Sequence, residues 1–97
     1  VDRKYFVLYL IPPRPDFAQS MSDEERGIMT RHVAYWKECL DKGVALVFGP
    51  VFDPAGTYGI GIVAVETEEQ LQSLMKNDPA TAINKYEYYS MRAVTAK

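Results

Sequence analysis

Residues 44–65, VALVFGPVFDPAGTYGIGIVAV, hold two apolar runs separated by a turn. Val44 to Phe48 is apolar at every position and runs on into Gly49-Pro50-Val51-Phe52. Asp53-Pro54-Ala55-Gly56 is turn chemistry, because proline presets one dihedral and glycine permits a positive one. Tyr58 to Val65 is apolar again, on both of its alternating faces. Two strands joined by so short a turn pair antiparallel. What flanks this pair on either side then decides the fold.

Upstream lies Ser22 to Lys42, SDEERGIMTRHVAYWKECLDK. Met29, Val33, Trp36 and Leu40 recur at spacings of four, three and four, the stripe of an amphipathic helix, with His32 on its flank beside Ile28, Tyr35 and Cys39. Ser22 and Glu25 form a capping-box pattern, and Lys42-Gly43 marks the end, glycine suiting a left-handed cap. Before this helix, Tyr5 to Ile11 is a strand rich in aromatic and β-branched residues. It stops at Pro12-Pro13-Arg14-Pro15, so residues 12–21 read as a proline-stiffened loop carrying Arg14, Asp16 and Phe17.

Downstream, Thr67 with Gln70 is a second capping-box pattern, opening a helix with Leu71, Leu74 and Met75 inward. Asn77-Asp78-Pro79 ends it, and residues 79–83 allow one more helical turn with Pro79 first. Lys85 to Val94 is the last strand. It puts Tyr86, Tyr88, Ser90, Arg92 and Val94 on one face and Glu87, Tyr89, Met91 and Ala93 on the other. The order is β-α-β-β-α-β, an α+β, ferredoxin-like arrangement with a four-stranded antiparallel sheet, in one domain over residues 1–97. Two helices cover one face of such a sheet, yet the first three strands are apolar on both. The expectation is therefore a homodimer in which a second copy covers the other face.

The net charge of −2 and a pI near 5.3 speak against nucleic acid as a partner, and no run of Lys or Arg makes a local basic patch. RNA-recognition motifs share this element order and stack bases on aromatics of the third strand. Here Gly59-Ile-Gly-Ile-Val-Ala-Val65 has the glycine spacing but an aliphatic residue at every aromatic place. One cysteine and one histidine leave no disulfide and no zinc cluster, so no metal and no organic cofactor are expected. The seven-residue apolar run at Tyr5 is too short to cross a bilayer, and no cleavage site follows it. The expectation is a cytoplasmic protein without membrane contact.

Chemistry rests on few residues. His32, the only histidine, is a candidate general base, and a carboxylate such as Asp78 could fix its tautomer. Each has a structural role as concrete: His32 as an edge-of-core donor to a carbonyl, Asp78 before Pro79 as a helix N-cap. Nothing in their spacing of 46 residues says that they meet. Cys39 follows His32 by seven positions, about 10 Å along a helix, too far for an adjacent pair, and reads as a small buried hydrophobe. Arg14 and Arg92 are candidates for holding an anionic substrate. Of the tyrosines, Tyr5, Tyr9, Tyr86 and Tyr88 are candidates for lining a cavity, though most tyrosines serve as core contacts.

Taken together, His32, Gly43, Gly49-Pro50, Asp53, Gly56 and Asp78-Pro79, in this order and spacing from Tyr5 to Val94, resemble the YCII-related domain family of the dimeric α/β barrel superfamily. The resemblance implies a ferredoxin-like fold that dimerises into an α/β barrel, and a His-Asp pair in a pocket. Carried over, that pair is His32 and Asp78, with Gly49-Pro50 shaping the pocket wall. The superfamily includes a dehydrochlorinase of chlorinated hydroxyquinols and resembles muconolactone isomerases. The implied function is thus a small-molecule acid–base enzyme, abstracting a proton with isomerisation or elimination. Catalysis falls to His32 and Asp78 and substrate binding to Arg14, Gly49, Pro50 and Tyr9. The alternative is a protein of the same fold that binds a small ligand or dimerises without chemistry. The chain departs from the family in its longer proline-rich loop, Pro12 to Met21.

Overall fold

A computed structural model describes residues 3–96; Val1, Asp2 and Lys97, the ends of the expected domain, lie outside the described residues. Four strands are present: β1 (Lys4–Ile11), β2 (Ala45–Val51), β3 (Tyr58–Val65) and β4 (Lys85–Met91). Their helices are α1 (Phe17–Ser20), α2 (Asp23–Asp41) and α3 (Glu68–Lys76), and a 3-10 turn spans Pro79–Ala82. The sheet runs β2-β3-β1-β4 with every neighbouring pair antiparallel, which is the ferredoxin-like arrangement expected.

The helix ends follow local chemistry. Ser22 Oγ accepts from Glu25 N while Glu25 Oε1 accepts from Ser22 N, a complete capping box. At the other end Gly43 takes φ 75°, with Gly43 N bonded to Leu40 O and Val44 N to Cys39 O, so the orphan carbonyls are satisfied. The second box is only half formed. Thr67 caps Gln70 N, but the Gln70 side chain reaches back to Glu66 N instead of Thr67 N.

Alternation along the strands separates the two sheet faces. Phe6, Leu8, Val63 and Val65 face the helices and are buried with Trp36, Cys39, Ala45 and Leu71. The opposite face presents Tyr5, Val7, Tyr9 and Ile11 of β1 opposite Ile60 and Ile62 of β3 and Tyr89 and Met91 of β4. Tyr9 packs on Tyr58 and Tyr89 with ring centroids 5.9 and 6.0 Å apart. No described element covers this face, and Val47 and Tyr89 are each more than half exposed.

Four expectations need correcting. Strand β4 stops at Met91, not Val94, because its one neighbour β1 offers its first partner at Tyr5, opposite Met91. Strand β2 extends through Gly49 and Pro50 to Val51; it is an edge strand, where a missing proline N–H costs no ladder bond. The proline loop contains a helical turn, α1, closed by Gln19 and Ser20 N–H groups on Asp16 O and anchored by buried Phe17. Finally, the buried line of α2 is rotated from the expected stripe. Trp36 and Cys39 are buried, whereas Val33 and Leu40 are exposed, so His32 faces inward and not sideways.

Candidate functional site

Asp78 is the N-cap of the 3-10 turn, and its Oδ1 accepts from Ala80 N at 2.9 Å. It is also the partner of His32, whose Nδ1 lies 2.9 Å from Oδ2 and 3.0 Å from Oδ1. The capping role and the pairing role, posed as alternatives, are held by one carboxylate at once. Oδ2 further accepts from Trp36 Nε1 at 2.9 Å and from the Tyr86 hydroxyl. The Trp36 N–H is shared with the Tyr86 oxygen at 3.2 Å. His32 and Trp36 stand one helical turn apart on α2, so both reach the same point.

Asp78 is only 1 % exposed. Burial is the largest influence on its acidity and opposes the charge. The hydrogen bonds from His32, Tyr86, Ala80 N and Trp36 together outweigh it and hold the carboxyl below its ordinary value. It is therefore an anion at neutral pH, acceptor only, so the hydrogen of the His32–Asp78 bond sits on Nδ1. Nε2, the other ring nitrogen, has no hydrogen-bond partner among the described residues. The Tyr86 phenol moves up, through burial first and the Asp78 carboxylate second, so it stays a neutral donor. Tyr35 shifts the same way, to about 12, through burial and then nearby anionic groups, and its hydroxyl ties α2 to Leu74 O of α3 at 2.7 Å.

The His32 ring forms part of the wall of a cavity of about 220 Å³ between α2, the sheet and the proline loop. Its walls are largely apolar: Leu8, Leu10, Met29, Trp36 and Phe48, with Pro12, Phe17, Ala18 and Met21 closing it from the loop. The floor is the helix-facing side of β3 where Gly59 and Gly61 stand opposite Leu10 and Leu8, two positions without side chains. Volume is thus left open by glycine, in the place where any larger residue would fill it.

Of the expected binding residues, Gly49 and Pro50 line this cavity. Arg14 does not. Its guanidinium is paired two-pronged with Glu25, Nη1 to Oε2 at 3.0 Å and Nη2 to Oε1 at 2.8 Å, and it also bonds Ser20 Oγ and Ser20 O at 2.8 Å. Its guanidinium carbon lies 5.2 Å from the centroid of the Phe17 ring. Arg14 holds the Glu25 carboxyl down to about 2, by its own hydrogen bond first and the Ser22 N–H second. Tyr9 lies on the opposite face of the sheet, in a shallow dip with Ile11, Tyr58, Glu87 and Tyr89. Cys39 is buried, and burial pushes its thiol up. Among the described residues no group of three or more His, Cys, Asp and Glu side chains is placed to hold a metal ion, and no helix is long and apolar enough to cross a membrane.

From sequence, Trp36 has only a place in the packing stripe, and Gly59 and Gly61 have only a glycine spacing shared with RNA-recognition motifs. A signal for each was present. Trp36 follows His32 by four, so a group that one reaches is near the other, and paired glycines inside a strand mark a close approach or a vacancy. The model for the YCII-related domain matches residues 5–95. No curated protein matches the chain significantly.

Proposed function

This chain belongs to the YCII-related domain family, and on that premise we propose that the cavity beside His32 is an active site for a small molecule, with His32 as general base and Asp78 as the group that orients it. The observation that carries this reading is the four-donor seat of a buried carboxylate, which fixes the imidazole tautomer and leaves Nε2 free at an apolar cavity. Nε2 takes a proton from an acidic position of the bound molecule, and the imidazolium so formed stays paired with Asp78. The same proton is then returned at a neighbouring atom, giving isomerisation, or a leaving group departs with its electron pair, giving elimination. General-base action of this kind is worth about 10²–10⁴-fold. The test is turnover and binding by His32→Ala once a substrate is found. Loss of turnover in that range with binding kept is expected, and unchanged turnover would remove His32 from the chemistry.

A second reading, a binding protein without chemistry, is favoured by one observation. The Tyr86 hydroxyl donates to Asp78, so it does not serve as a second proton donor to the cavity it lines. Wild type that binds ligands but turns over none of a panel of isomerisable or eliminable compounds supports it.

The uncovered apolar face of the sheet supports a homodimer with sheets face to face, in the reducing cytoplasm that a lone cysteine suits. Sedimentation velocity at micromolar concentration tests this, and a monomer there argues against it.

A further inference from the structure

Apart from His32, every side chain that the described residues contribute to the cavity wall is uncharged. The nearest anion, Asp78, sits behind the imidazole with both oxygens occupied. The nearest cation of the proline loop, Arg14, is turned to Glu25 and Ser20. An anionic ligand would leave water here and meet no positive group free of a carboxylate, since His32 is paired with Asp78 and Arg14 with Glu25. That is a large loss in an apolar site. The cavity also has a definite size and shape. An apolar cavity of about 150 Å³ is known to take benzene, so about 220 Å³ suits one ring with a small substituent. Gly59 and Gly61 make one wall bare backbone, flat enough for a planar ring, while Trp36, Phe17 and Phe48 supply aromatic contacts.

From these features we infer that the ligand is an uncharged, single-ring molecule carrying one hydroxyl, which donates its hydrogen bond to His32 Nε2. The lining selects against carboxylates and phosphates of the same size. This rests on reading the cavity as the ligand site, but not on any turnover there.

Three probes of one ring size test it on the whole chain near neutral pH: 4-methylphenol, 4-methylanisole and 4-methylbenzoate. The chain has one histidine and one tryptophan, so the His32 ring and Trp36 indole proton resonances are unambiguous reporters. Saturable shifts of both signals are expected with 4-methylphenol. The ether, which lacks the donor, should bind about tenfold more weakly, and the carboxylate more weakly still. Equal or tighter binding of 4-methylbenzoate overturns the inference, as does the absence of any response to 4-methylphenol at millimolar concentration. Selective binding of the phenol by a protein that turns over no related substrate keeps this inference and removes the acid–base reading. Tight carboxylate binding with turnover that needs His32 does the reverse.

Discussion

The Trp36 indole N–H lies 2.9 Å from Asp78 Oδ2, so the chain's only tryptophan donates to the same carboxylate that receives His32. The consequence is that one buried anion ties helix α2, the 3-10 turn and strand β4 together. Removing any member leaves the others short of a partner.

Asp78→Ala strands three donors in the interior, His32 Nδ1–H, Tyr86 O–H and Ala80 N–H, and leaves Trp36 Nε1–H only its longer bond to the Tyr86 oxygen. A loss of about 3–5 kcal/mol is expected in urea unfolding. Asp78→Asn keeps an acceptor but turns an NH₂ toward donors, so it should fall between. A loss below about 1 kcal/mol for the alanine variant would mean that water replaces the carboxylate with ease.

Tyr86→Phe removes one hydroxyl that bonds a charged group, at an expected cost of about 1.5–3 kcal/mol. Because the ring is kept, packing against the core changes little. Equilibrium unfolding reads the cost, and a neutral result would show that the hydroxyl bond adds nothing beyond packing.

The pH dependence has two limbs. Asp78 is held below the ordinary carboxyl value of 3.8, so its contribution is fully present above that value. As pH falls further, the unfolded carboxyl takes its proton first and stability is lost through the folded pKa. Tyr86 is raised above 10.0, so its contribution is present below pH 10.0 and is lost as pH rises, because the unfolded phenol ionises first. Urea midpoints across both ranges check this. Asp78→Asn should flatten the acid limb and Tyr86→Phe the alkaline limb, relative to wild type.

Glu25→Gln separates two roles of one side chain. Glutamine keeps the capping bond to Ser22 N but gives up the charge that holds Arg14. Helix content by circular dichroism should stay the same, while chymotrypsin should cut faster at Phe17 as the proline loop loosens. Unchanged cleavage would show that the Ser20 bonds and the buried Phe17 suffice.

At Gly61 a Cβ would meet Phe48 Cβ at 3.7 Å, an ordinary contact, whereas at Gly59 it would meet Leu10 Cβ at 3.2 Å. Gly61→Ala should therefore hold or gain stability, by about 0.5–1 kcal/mol from reduced backbone freedom, while weakening ligand binding by filling the cavity floor. Gly59→Ala should lose stability. Thermal unfolding with and without 4-methylphenol reads both effects, and tighter binding by Gly61→Ala would place the ligand elsewhere.

What the sequence by itself determined is what local rules can reach. The apolar runs Tyr5–Ile11 and Tyr58–Val65, the Ser22 box, the Gly43 cap and the 53–56 turn each need only neighbours a few positions away, and with them came the element order and the antiparallel sheet. The Asp78-Pro79 cap was legible for the same reason. Tertiary structure alone decided that His32 and Asp78 meet across 46 residues, because packing of α2 against the 3-10 turn sets that distance and no spacing rule encodes it. It also decided where Arg14 and Tyr9 went. A guanidinium goes to whichever carboxylate the fold brings nearest, here Glu25, and a strand side chain goes to whichever face its register dictates, here the one away from the cavity.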